Sequence, residues 1–151
     1  MRIKTIVCAL FILVAFVCSG FAAGEVKWYS LKEGTAKARA EKKPVIVDFF
    51  YGKGCPRCEF LQKEVYGNPA IAKKIMDDFV PIMVDLTKPL SADEEKLGEK
   101  YEYKKDCLLI FLDTENNLIK DSKGRKLCFV DKVDPEEFIG YLDMIKKAAT
   151  K

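Results

Sequence analysis

The 151-residue sequence predicts an α/β domain, a central mixed β-sheet flanked by helices. Three observations predict it. The run Val45-Ile46-Val47-Asp48-Phe49-Phe50-Tyr51 is apolar, β-branched and aromatic, the composition of a strand buried on both faces. Helix-start signals recur between runs of this kind, at Ser30, Asn68, Ser91 and Asp134, so strands and helices alternate as in a layered α/β sheet. The strand-like segments after Leu108 follow one another with turns between them, which adds antiparallel strands late in the order.

Each element has its own signal. Residues 1–22 carry Arg2 and Lys4, then an apolar run from Ile6 to Val17, then Ser19, Gly20 and Ala22. That order is a secretory signal peptide, with cleavage expected after Ala22. Two other fates stay open. One is retention as an anchor, since Thr5 to Ala23 is nearly long enough to span a bilayer. The other is lipidation at Cys18, although Val17 before it is not the small residue such a site favours. The domain occupies residues 23–151, and Glu25 to Tyr29 reads as its first short strand. Ser30-Leu31-Lys32-Glu33 is a capping box for a helix to about Lys42, stopped by Pro44. After the strand Val45–Tyr51, Gly52 and Gly54 bracket a turn, and a helix runs from Cys55 to about Val65. Asn68-Pro69 supplies an N-cap and a first-turn proline for a helix to about Asp78. Phe79 to Asp85 is the next strand. Ser91-Ala92-Asp93-Glu94 is a second capping box, for a helix to about Tyr101. Leu108–Leu112 is a strand, and Leu118–Lys120 and Lys126–Val130 are short strands around Lys123-Gly124. Asp134-Pro135-Glu136-Glu137 opens a last amphipathic helix with Phe138, Leu142 and Ile145 on one face.

Composition narrows the chemistry. The chain has six cysteines and no histidine, which excludes Ser–His and Cys–His pairs, histidine-based zinc motifs and imidazole ligation of haem. A net charge of +3 without a basic cluster gives nucleic acid nothing to bind. If the leader is removed, Cys8 and Cys18 leave with it, and Cys55, Cys58, Cys107 and Cys128 remain. Export places these in a periplasmic or extracellular setting where disulfides persist. A leader that is retained or lipidated tethers the same domain to a membrane.

The reactive motif is Cys55-Pro56-Arg57-Cys58. Two cysteines three apart at a helix start lie within disulfide reach. Cys55 falls near the N-cap, where helix N–H groups and the macrodipole stabilise a thiolate. Lys53 and Arg57 are nearby cations. Cys58 lies one turn in. This asymmetry makes Cys55 the attacking thiol and Cys58 the resolving one. A zinc site would want a second C-x-x-C or histidines, and haem attachment would want His where Glu59 stands. Asp48 is the second chemical residue. An acid inside an apolar strand is costly unless protonated or paired. Its place on the strand feeding the motif suggests a proton acceptor for Cys58; the alternative is an edge carboxylate paired with a lysine. Tyr51, Lys53, Arg57 and Tyr66 are candidates to line the approach to Cys55.

Lys43-Pro44 with Val45–Phe50, then Cys55–Cys58, then Leu61 and Glu64-Val65, resembles the thioredoxin superfamily. Within that superfamily it resembles secreted thioredoxin-like domains related to the C-terminal domain of the transmembrane disulfide reductase. Trp28, Leu31, Ala36, Ala38 and Ala40 match the segment such domains carry before Lys-Pro. Leu108–Asp113 resembles the strand after the active-site loop, and Val133–Phe138 the start of the last helix. The resemblance implies a thioredoxin-like three-layer sandwich, thiol–disulfide exchange at Cys55 and Cys58, protein disulfides as substrates, a membrane-bound electron donor, and a monomer. The redox disulfide itself serves in place of a cofactor.

Three positions depart from the family pattern. Gly54 stands where Trp is frequent, one extra residue separates Asp48 from Cys55, and Cys107 takes the place of the proline before the strand at Leu108. Cys107 has several readings: a buried apolar residue, a third redox thiol, a metal or iron–sulfur ligand with Cys55 and Cys58, or a structural bond to Cys128. The metal-ligand reading makes the chain a non-catalytic metal- or partner-binding module on the same fold. Cys128 by default reads as core packing.

Overall fold

Three apolar runs, at Val45–Phe50, Val80–Asp85 and Leu109–Leu112, become strands where the sequence puts them. The computed structural model describes residues 24–103 and 108–150; the leader assigned to residues 1–22 and the position of Cys107 lie outside them. Val45–Phe50 forms β1, Val80–Asp85 β2, Leu109–Leu112 β3 and Cys128–Phe129 β4. The sheet runs β2-β1-β3-β4. β1 is parallel to β2, with Asp48 opposite Met83. It is antiparallel to β3, with Asp48 opposite Leu109. β3 and β4 are antiparallel. The sheet is thus mixed, with its antiparallel pairs formed by the later strands.

Helices cover both faces. α1 (Leu31–Glu41) and α4 (Ala92–Lys100) bury Ala38 and Leu97 against Val45, Val47 and Phe49 of β1 and Val80, Ile82 and Val84 of β2. On the other face lie α2 (Pro56–Phe60), α3 (Pro69–Asp78) and α5 (Pro135–Ala149). They enclose Ile46, Leu109 and Phe111 with Leu61, Ile71, Ile75, Phe138 and Leu142. Side chains alternate across a strand, so Ile46 and Asp48 point into this second layer. The helix starts are capped as the sequence signals. Asn68 accepts from Ala70 and Ile71, Asp134 from Glu136 and Glu137, and Ser91 closes a complete capping box with Glu94.

Three elements differ from expectation. The helix after Cys55 is not uniform: α2 passes into a π-helical turn, Leu61–Val65, in which the Tyr66 N–H donates to the Leu61 carbonyl at 2.7 Å. A π turn widens the helix and rotates the residues beyond it, and Val65 and Tyr66 both end up in the core. The strand expected at Glu25–Tyr29 reduces to a single parallel bridge, Tyr29 to Ile82. The strands expected around Lys123-Gly124 reduce to bridges at Leu112–Leu118 and Lys120–Lys126 plus the two residues of β4. Among the described residues no helix is long and apolar enough to cross a membrane.

Candidate active site

The site forms where β1 ends and α2 begins. Gly52 and Gly54 have φ of +91° and +84°, a left-handed backbone that favours glycine. At Gly52 a Cβ would also press on the Thr87 side chain. At Gly54 a Cβ would meet open space, so only the left-handed backbone disfavours a larger residue there. Cys55 is the extended N-cap of α2, and its Sγ accepts the Cys58 N–H at 3.2 Å. Pro56 fills the first helical position, where its missing N–H costs nothing. Cys55 and Cys58 are joined by a disulfide, with Cα atoms 5.2 Å apart.

The two sulfurs are unequal. Cys55 is half-buried, whereas Cys58 is 1% exposed and accepts the Tyr51 N–H at 3.4 Å. A cleft of about 430 Å³ opens beside Cys55, lined by Pro56, Arg57, Leu108 and the segment Val130–Lys132. Tyr51 and Val130, 45% and 43% exposed, are two of the three large apolar side chains exposed among the described residues. Lys53 is exposed on the turn before Cys55.

Behind the disulfide is a buried polar cluster. Asp48 is 1% exposed. Arg57 donates from Nη1 and Nη2 to Asp48 Oδ1, each at 3.2 Å, and the Tyr66 hydroxyl donates to Oδ2 at 3.0 Å. The Arg57 Nε is buried without a partner. The carboxylate is therefore matched to a cation from inside the C-x-x-C motif, not to a lysine. Arg57 lies close to Cys55 in sequence, but its guanidinium is committed to Asp48. Tyr66 does not line the approach to Cys55; it is 3% exposed and packs edge-on against Trp28, ring centroids 4.8 Å apart. Burial pushes the Asp48 carboxyl above the ordinary carboxylate range, and the Arg57 charge and the Tyr66 hydrogen bond pull it only partway back. Burial, then the Asp48 charge, hold the Tyr66 phenol well above its ordinary value, so it stays a donor.

The raised Asp48 carboxyl has a consequence for stability. The folded chain holds this proton more tightly than the unfolded chain does. The contribution of the group is therefore full below the unfolded value and is lost as pH rises through the folded one. Urea unfolding between about pH 4 and pH 8 should show wild-type stability falling relative to Asp48→Asn as pH rises. Parallel curves for the two proteins would contradict that reading.

Of the remaining sequence candidates, Cys107 lies outside the described residues. Cys128, expected to be a packing residue, is half-buried on β4 and disulfide-bonded. Among the described residues no group of three or more cysteines and carboxylates is placed to hold a metal. Tyr66 is the Asp48 neighbour that the sequence reading misplaced at the approach to Cys55. Its signal was helical spacing: Cys58, Leu61, Val65 and Tyr66 recur on one face, and all four are buried.

A family model described as thioredoxin-like matches residues 27–112, more than half of the chain. No curated protein matches it. Among solved structures, a thioredoxin from Thermus thermophilus is 20% identical with a TM-score of 0.61, over 83% of this chain and 90% of that one. The oxidised C-terminal domain of Neisseria meningitidis DsbD is 18% identical with a TM-score of 0.55, over 79% of this chain and 99% of that one. A DsbH oxidoreductase is 16% identical with a TM-score of 0.58, over 85% and 88%. At these identities the likeness is one of fold.

Proposed function

This chain belongs to the thioredoxin-like family, and from that premise we propose that it is an exported thiol–disulfide oxidoreductase that reduces protein disulfides through Cys55 and Cys58. The observation that carries this reading is the unequal disulfide at the mouth of α2: one sulfur half-buried beside an open cleft, the other buried behind it. In the reduced protein the Cys55 thiolate attacks a substrate disulfide, and one substrate sulfur leaves as a thiolate. Cys58 then attacks the Cys55 sulfur, re-forms the intramolecular disulfide and releases the second substrate sulfur. Asp48 is the proposed proton acceptor for Cys58.

The pairing of Arg57 favours the reducing direction. A free cation beside Cys55 stabilises the thiolate and makes the pair more oxidising. An Arg57 neutralised by Asp48 does so less and leaves that work to the helix mouth. Turnover needs a dithiol donor to reduce the disulfide again. The leader read at residues 1–22 supports a donor at the outer face of a membrane, and the exposed Val130 in the cleft wall offers it an apolar contact. Equilibration with a dithiol buffer tests the direction. A potential more negative than about −200 mV is expected, and one above about −150 mV would make the protein an oxidant instead.

A further inference from the structure

The chain bends back on itself between Lys120 and Lys126. Gly124, at φ +78°, closes the turn by donating its N–H to the Asp121 carbonyl. The Asp121 carboxylate accepts the Lys123 and Arg125 backbone N–H groups and the Arg125 Nε at 2.7 Å, so its charge is matched within the turn. This turn and the end of α5 enclose a hollow of about 380 Å³, lined by Lys120, Lys123, Arg125, Met144 and Lys147. All four cations are exposed. Met144 is 38% exposed, one of three large apolar side chains exposed among the described residues.

Positive charge is concentrated here. Four cations and Asp121 leave the patch at +3. With Arg2 and Lys4 of the leader set aside, the chain has 24 cations against 23 acids, so the remainder of the domain is net acidic. Cations in the last turn of a helix complement its dipole, which accounts for Lys147. That does not account for Lys120 and Lys123, which lie on another segment. A cationic surface with an exposed apolar side chain inside it suits a protein that lies on anionic lipid. The entry of the chain fits this occupant. Gly24, just after the leader, lies against Pro69 of α3, and α3 is tied to α5 by the ion pairs Lys74–Asp143 and Lys146–Asp78. The start of the domain and the patch therefore share one helical layer.

We propose that this patch is a docking surface for anionic phospholipid, with Lys120, Lys123 and Lys147 on the headgroup phosphates and Met144 entering the interface between them. α5 begins just beyond the cleft wall at Lys132. From its first residue, Pro135, to Lys147 is roughly 18 Å along the helix axis. The docked domain thus keeps Cys55 clear of the lipid and open to partners. The inference goes beyond the oxidoreductase reading, and exchange at Cys55 does not enter its test.

Full-length protein is mixed with vesicles of phosphatidylcholine alone, or with about one third phosphatidylglycerol, and sedimentation measures what binds. Wild type should bind the anionic vesicles and lose that binding between about 0.05 and 0.5 M salt, as a screened interaction does. Each lysine removed should weaken binding about fivefold. Lys120→Gln, Lys123→Gln and Lys147→Gln together should then weaken it about a hundredfold, while Lys→Arg at the same positions should keep it. Lys32→Gln, Arg39→Gln and Lys96→Gln lower the net charge equally from exposed positions on α1 and α4, across the sheet, and should leave the affinity near wild type. Met144→Gln should weaken binding without changing its salt dependence. Equal losses in the two triple variants would make binding a matter of net charge and overturn the docking surface. Binding indifferent to lipid charge and salt, or to Met144→Gln, overturns it too. So does a polyglutamate peptide or a DNA duplex held through the same lysines when anionic vesicles are not.

Discussion

Cys58→Ser protein is expected to capture its substrate. With the resolving sulfur gone, Cys55 still attacks a disulfide, and the mixed disulfide has no internal route to collapse. The trapped species should survive non-reducing electrophoresis and disappear with added thiol. Mass spectrometry of the trapped partner then identifies what the cleft beside Cys55 accepts. The size of the effect comes from burial. Cys58 is almost fully covered, so an external thiol reaches the Cys55 bond only through the cleft. Cys55→Ser should abolish both exchange and trapping, because the remaining thiol is the inaccessible one. Equal trapping through Cys58 in Cys55→Ser protein would reverse the assignment of roles.

The second large effect is on stability. Asp48→Ala leaves the Arg57 guanidinium buried and uncompensated, and should cost about 3–5 kcal/mol. It also strips the Tyr66 hydroxyl of its acceptor, a further cost of about 1–3 kcal/mol for a buried polar group left unsatisfied. The joint replacement Asp48→Leu, Arg57→Met, Tyr66→Phe removes every member of the cluster and should recover most of that loss, because no charge or donor is then stranded. Urea unfolding of the two variants makes the comparison. A triple variant as unstable as Asp48→Ala would mean that shape, not charge balance, governs the pocket. Recovery of stability without recovery of exchange would show that the cluster serves the reaction and not the fold.

Much of the architecture could be read locally. Val45–Phe50 is apolar at every position but Asp48 because helices cover both its faces, and the caps at Asn68, Ser91 and Asp134 act within one helical turn. Cys55 and Cys58 needed only their spacing and the strand before them. The ion pair was harder, because Arg57 at a helix start is free to point outward or inward. Only the packing of α2 on the sheet decides it, through contacts between residues far apart in the chain. The π turn has no local signature, since Leu61–Val65 satisfies an α-helical pattern equally well. The late strands were overstated for a physical reason. Asp121 and Gly124 close a tight turn between them, which leaves the pairing of Lys120 with Lys126 as a single bridge.

Trp28 is the only tryptophan in the chain, and it rests edge-on against the ring of Tyr66. The phenol of Tyr66 in turn holds Asp48. The indole emission of the native protein therefore comes from a single fluorophore separated from the buried Asp48 carboxylate by one side chain, Tyr66. Indole emission responds to charge and to aromatic contact in its surroundings, so the protein carries its own optical probe of the site. A shift in Trp28 fluorescence on reduction or on titration reports the site directly, with no label attached and no second tryptophan to subtract.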